Sequence, residues 1–193
     1  MALGLAGCSG SQPETAAAKP EVKEAPKPAE PISGSSAFYE MYKPARQWAP
    51  DIQALSLVSG EIPEMKNADG KAAVWTATFV SPSQRAARTF TYSVASSGTI
   101  QKGVSATPDQ AWTGATKNSK PFQISDFKVD SDEAYKTAFE KAQEWVTKNP
   151  NKKLSMMLAS ADRFPTPAWS FMWGDSKAGY RVFVNALTGK LEK

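Results

Sequence analysis

From residue 36 onward the apolar positions form two helix-like stripes, each leading into short runs of β-forming letters. Phe38, Tyr42, Ala45 and Trp48 stand at i, i+4, i+7 and i+10, and Tyr135, Phe139, Ala142 and Trp145 repeat that spacing. Such spacing places each set on one face of a helix. The first helix is expected to begin after Ser35 or Ser36 and to end by Ala49-Pro50, with Pro44 kinking it or dividing it into two turns. Asp130 is positioned to cap the second, Glu133 to reach back in a capping box, and Asn149-Pro150 to stop it.

The segments downstream of the two helices also repeat. The first block runs through Ala54–Val58, a polar turn around Asn67-Ala68-Asp69-Gly70, then Ala73–Val80 and Arg88–Val94. The second runs through Leu154–Leu158, Ala168–Trp173, a turn at Gly174–Lys177, and Tyr180–Val184. Alternation is clearest in Trp169/Phe171/Trp173 and in Phe90/Tyr92/Val94, the mark of half-buried strands. Each block closes on a glycine turn, Ser97-Gly98-Thr99 and Thr188-Gly189-Lys190. The chain therefore predicts an α+β fold built of two α-β-β-β repeats, with antiparallel strands joined by tight turns.

Ahead of the repeats the pattern disappears. Residues 9–35 are mostly Pro, Ala, Lys, Glu and Ser, as in Lys23-Glu24-Ala25-Pro26-Lys27-Pro28, and present no apolar face at either period. Nothing there offsets the ordering entropy, so a disordered, extended spacer is expected. The organisation read from sequence is 1–8 as a signal remnant, 9–35 as linker, 36–105 as the first repeat, 106–125 as a connection and 126–193 as the second repeat.

Composition narrows the function. Hydrophobic content of 41% with six Trp supports a packed core, while the net charge of +4 is spread along the chain, so no nucleic-acid partner is expected. No apolar run of about 18 residues occurs.

The chain has no histidine and one cysteine, which leaves out Ser-His-Asp and Cys-His arrangements and most zinc sites. Ser125-Asp126-Phe127-Lys128 is a Ser-x-x-Lys pattern without the companion Ser-Asp-Asn and Lys-Thr-Gly elements. Asp126, Asp130, Asp132 and Glu133 lack the ligand order of a calcium loop and read as capping residues. No catalytic residue, cofactor or metal is assigned. A distant alternative is a hydrolase with a carboxylate pair, which sequence spacing leaves open. Four tryptophans, Trp48, Trp75, Trp145 and Trp169, read as core. Trp112 on the connection and Trp173 beside Gly174 are the candidate partner contacts.

Leu5-Ala6-Gly7-Cys8, with Ser9 next, resembles the lipobox of bacterial lipoproteins. The resemblance implies cleavage before Cys8 and a diacylglycerol on its sulfur, hence a membrane anchor through Cys8. Two or more acyl chains hold a protein stably, at roughly 0.8 kcal/mol per buried CH₂. A complete signal also has a basic segment and an apolar stretch. Only Met1–Gly7 precede Cys8, so either the natural start lies further upstream or the chain was trimmed. Ser9, rather than Asp, after the cysteine implies the outer membrane, facing the periplasm, if the host has two membranes.

The second repeat resembles the PepSY group, the domain of peptidase propeptides and of beta-lactamase-inhibitor-like envelope proteins. The likeness rests on Ser131-Asp132-Glu133-Ala134-Tyr135, on Pro167-Ala168-Trp169, and on Val182-Phe183-Val184-Asn185-Ala186-Leu187-Thr188-Gly189-Lys190-Leu191, where Asn185 replaces the usual Asp. It implies a helix laid across an antiparallel sheet and a binding or inhibitory role toward an envelope protein or peptide. The reading is a lipid-anchored, non-enzymatic binding protein of the cell envelope. The alternative is an architectural lipoprotein that spaces a larger complex.

Overall fold

The computed structural model describes Met1 and residues 29–193; the lipobox at Cys8 and the proline-rich stretch through Pro28 lie outside the described residues. In chain order the elements are β1 (Ile32–Ser33), α1 (Gly34–Trp48), β2 (Gln53–Gly60), β3 (Lys71–Ala72), β4 (Val74–Ser81), β5 (Ala86–Ser93), β6 (Gly103–Ala106) and β7 (Gln110–Ala111). A 3-10 turn at Ile124–Asp126 leads to α2 (Ser131–Lys148), β8 (Leu154–Ala159), β9 (Ala168–Trp173) and β10 (Tyr180–Asn185).

The fold is α+β, and the order of one helix and then three long strands occurs twice. The long strands join in one eight-stranded sheet, ordered β10-β9-β8-β2-β4-β5-β6, with β7 also on β5. All long-strand pairings are antiparallel, and the repeats meet where Ser56, Leu57 and Val58 face Ala159, Leu158 and Met157. The order reads the same outward from this seam in both directions, which places an approximate two-fold axis between β2 and β8.

Alternation along the strands decides which face the helices cover. Trp75, Ala77 and Phe79 of β4 and Trp169, Phe171 and Trp173 of β9 face one continuous core with Phe38 and Met41 of α1 and Ala134, Ala138 and Ala142 of α2. The small residues on α2 let its axis lie close to the strands. The other sheet face is largely polar: Thr76–Thr91 and Thr78–Thr89 are cross-strand hydroxyl pairs at 3.3 and 3.2 Å.

Two indoles show the symmetry at atomic detail. Trp75 Nε1 donates to Ile32 O at 3.0 Å and Trp169 Nε1 donates to Val129 O at 2.9 Å. Each acceptor lies two residues ahead of its helix, so each tryptophan ties the second long strand of its repeat to the start of that repeat's helix.

The helix N-termini converge at the axis. Ser131 Oγ accepts from Gly34 N at 2.7 Å and donates to Gly70 O at 2.6 Å. Asp130 Oδ1 accepts from Ser131 N at 2.6 Å and from Ser35 N at 2.9 Å, and its Oδ2 takes Ser35 Oγ–H. One carboxylate thus caps both helices, at the positive ends of two dipoles. Ser33, the cap position of α1, makes no side-chain cap bond of its own. Gly70 has φ +76, and a Cβ there would stand 2.4 Å from Ser131 O and Asp132 Cα, so no other residue fits.

Four expectations change. The last residues of the expected linker are ordered: Ile32 pairs with Ala72 and packs on the core, and Gly34 and Ser35 begin α1. The Trp75 indole bond and the Asp130 carboxylate bonds supply what the linker composition lacks. Pro44 does not divide α1, which runs unbroken through it. The α2 cap is Asp130 alone, with Glu133 exposed. Trp48 and Trp145 are half-buried rather than fully buried, because each lies in the last turn of its helix at the sheet rim. Trp145 stacks on Tyr180 with centroids 5.9 Å apart, and Trp48 lies under the Arg88 guanidinium at 5.0 Å.

Candidate functional site

Between the repeats, on the helix side of the sheet, a groove of about 770 Å³ opens at the start of β8. It exists because the segments around it are polar and turn-rich. The loop after β2, Glu61–Gly70, leaves the sheet instead of continuing beside β8, and Asn149-Pro150 ends α2 before it can cover the gap. Leu154 and Trp173 form the floor, Tyr135 of α2 one wall, and Ile62 and Met65 the other. Leu154, Trp173 and Ile62 are almost wholly buried, whereas Tyr135 and Met65 are half-buried and stand over the opening.

Tyr135 is held by aromatic packing, 5.9 Å from the Phe171 ring and 6.0 Å from the Trp173 ring. Burial first, and then the Asp69 charge, push its phenol above the usual tyrosine range, so it stays a neutral hydroxyl. The rim is basic, with Lys66, Lys152 and Lys153 against Glu61, which pairs with Lys153 at 2.5 Å.

Asn67 carries the most informative polar group. It is 9% exposed, and its Nδ2 donates to Leu154 O at 3.1 Å and to Ser59 Oγ at 3.3 Å. Its Oδ1 is buried and has no partner. An unpaired buried acceptor costs about 1–3 kcal/mol, which marks this oxygen as an unused hydrogen-bond acceptor in the groove lining.

The two tryptophans that the sequence marks as partner contacts lie apart. Trp173 is 3% exposed, a core residue whose ring forms the groove floor, so it does not offer the free surface expected of a loop anchor. Placement on the inner face of β9 buries it under Tyr135. Trp112 is half-exposed beyond β7, its backbone N–H bonded to Arg85 O at 2.9 Å, on the far half of the sheet. Tyr135 and Asn67 escape sequence reasoning. By spacing Tyr135 belongs to a core stripe, and Asn67 reads as turn chemistry.

The remaining candidates take structural places. Ser125 and Lys128 are both exposed, Ser125 within the 3-10 turn. Asp126 closes that turn by accepting from Gln123 N at 3.3 Å. Among the described residues no three His, Cys, Asp or Glu side chains gather closely enough to share a metal ion. Asn185 accepts through its side-chain oxygen from Leu187 N at 2.9 Å and Thr188 N at 3.0 Å. Its amide oxygen therefore shapes the turn without a negative charge. On the helix-free sheet face, Phe183 of β10 lies under the Arg163 guanidinium at 4.4 Å near one edge, and the threonine pairs of β4 and β5 occupy the other half of the sheet.

No protein-family model matches the chain, and no curated protein matches it. Among solved structures, the crystal structure of a candidate lipoprotein from Clostridium difficile 630 is similar at 10% identity and a TM-score of 0.46. The alignment covers 81% of this chain and 90% of that one. At that level the likeness carries no argument about fold or function.

Proposed function

We propose that the chain is a lipid-anchored protein of the cell envelope whose tandem PepSY-like domain binds a partner without catalysis, in the groove between its repeats. The observation that carries the binding site is the groove itself: a half-buried Tyr135 and Met65 above an apolar floor, with the unpaired Asn67 Oδ1 beside it. Concave, mostly apolar sites with a few placed polar groups are where proteins hold ligands. The anchor is supported by the lipobox at Cys8, and the binding role by the PepSY-like motifs together with the α-β-β-β order they imply. Ser9 supports the outer membrane, facing the periplasm, in a two-membrane host.

Two measurements test this reading. Expressed behind a complete signal, the protein is expected in the detergent phase, and Cys8→Ser is expected to release it or leave it unprocessed. Unchanged partitioning of the Cys8→Ser protein overturns the anchor. A photo-crosslinking side chain at Met65 is expected to capture one envelope partner, whereas the same group at Trp112 is not. Capture from position 112 alone moves the binding surface away from the groove.

A further inference from the structure

The groove has a filled counterpart within the same molecule. Phe79 and Trp173 hold the same place in the two repeats, each four residues beyond the indole that ties down its helix. Phe79 faces Ala54 across the strand pair and Trp173 faces Leu154. Phe38 of α1 covers Phe79 at 5.3 Å, as Tyr135 of α2 covers Trp173 at 6.0 Å. Around the two-fold axis, the surroundings of Ala54 and of Leu154 therefore correspond.

Beside Ala54 the place is taken. Lys120-Pro121-Phe122, from the connection between repeats, runs there as an extended, strand-like segment held by single bridges. Lys120 N donates to Ser160 O at 3.0 Å and Phe122 N donates to Ala54 O at 2.8 Å. Phe122, 4% exposed, completes the core on that side. Beside Leu154 there is no such segment among the described residues. The Asn67 amide stands there instead, its Nδ2 bonding Leu154 O as Phe122 N bonds Ala54 O. The groove is what remains where that segment and its aromatic side chain are missing.

We infer that the groove receives an extended peptide segment whose bulky apolar side chain seats against Tyr135, Met65 and Trp173 and whose flanking carboxylates meet the lysine rim. The inference rests on the reading of the groove as the binding site and adds the chemistry of the occupant. The internal Lys120–Phe122 segment supplies the shape; within the lining Lys66, Lys152 and Lys153 outnumber Glu61, with Asp69 and Asp175 nearby but outside it, and supply the sign of the charge. Residues 9–28 of the chain itself fit less well. They contain no aromatic residue, and Val22 is their one bulky aliphatic.

The test uses the full chain carrying Cys8→Ser, in solution, with the fluorescein-labelled peptide Glu-Glu-Pro-Phe-Glu as probe and anisotropy as readout. Saturable binding that weakens at least about tenfold when the probe's Phe becomes Ala supports the inference, since a buried aromatic anchor dominates such contacts. The rim variant Lys66→Glu/Lys152→Glu, with an unchanged circular dichroism spectrum, is expected to weaken binding by about tenfold and to flatten its dependence on salt. Equal binding of a probe with Lys in place of Glu, or no saturable binding, overturns the inference. So does a rise of about tenfold or more in affinity on deleting residues 9–28, which makes the chain's own segment the occupant. Partner capture from position 65 together with a negative probe result leaves the groove as the site and discards the acidic peptide alone.

Discussion

Trp75 and Trp169 meet edge to face across the seam between the repeats, ring centroids 6.1 Å apart at an interplanar angle of 71°. Each is wholly buried, and each indole N–H is spent on the chain just ahead of its own helix. The pair therefore joins four things at one point: the second long strand of each repeat and the entry into each helix.

Removing either indole N–H while keeping a ring isolates that bond. Trp169→Phe strands the Val129 carbonyl, and Trp75→Phe strands that of Ile32; each is expected to lose about 1–3 kcal/mol in urea denaturation. Truncation to Ala is expected to cost about 3–5 kcal/mol at either position. The double Phe variant measures the coupling through the ring contact, and strictly additive losses would count against it.

Asp130 serves two helices, so its loss is expected to exceed that of an ordinary cap. Asp130→Ala is expected to destabilise by about 2–3 kcal/mol, against about 1 kcal/mol for one cap. Asp130→Asn keeps an accepting oxygen and is expected to retain much of the difference. Hydrogen exchange at the Ser35 amide is the local readout. Unchanged protection there in Asp130→Ala would show that α1 does not depend on this carboxylate.

Asp51 gives a pH signature. Its carboxylate accepts from Ser81 Oγ at 2.6 Å and from Ser83 N at 2.8 Å, which hold it below the ordinary carboxylate value. A group with a depressed folded pKa contributes stability that is present above its unfolded pKa and lost as pH falls through its folded pKa. Asp51→Asn is therefore expected to flatten the fall of melting temperature below about pH 4 and to leave the neutral-pH slope unchanged. An identical acid limb in the variant would exclude Asp51 from the transition.

Trp145 lies at the sheet rim, and Trp145→Ala is expected to cost roughly half of the ~3–5 kcal/mol of a fully buried aromatic. Loss of the stack on Tyr180 contributes to that figure. Calorimetric melting of the variant checks it, and a loss as large as that of Trp169→Ala would show that the helix end is core after all.

Most of the architecture is written in periodicities. The stripe from Tyr135 to Trp145 and the alternation in Trp169/Phe171/Trp173 place α2 and β9, because a buried face repeats at the period of its element. β6 leaves no such trace: Gly103-Val104-Ser105-Ala106 is a mostly exposed edge strand, so nothing enforces an apolar alternation. The start of α1 is also hidden, since its cap comes from Asp130, 95 residues along the chain from Ser35. The groove belongs to the same class of hidden feature. Tyr135 reads as one more member of a helix stripe, and only the path of the loop after β2 leaves it half-uncovered.

The outer edge of β10 has a consequence for how copies of the protein meet one another. Lys190 O accepts from Asn185 N at 2.8 Å and Glu192 N donates to Phe183 O at 2.9 Å, so the final residues of the chain lie along that edge and occupy its outward backbone groups. By alternation the next outward-facing position is Arg181, exposed and charged. The opposite edge is the four-residue β6, next to Lys102. A sheet this wide would otherwise offer two templates for adding strands from neighbouring molecules. With one border occupied and the other kept short beside a lysine, many copies can crowd together without zipping into fibres.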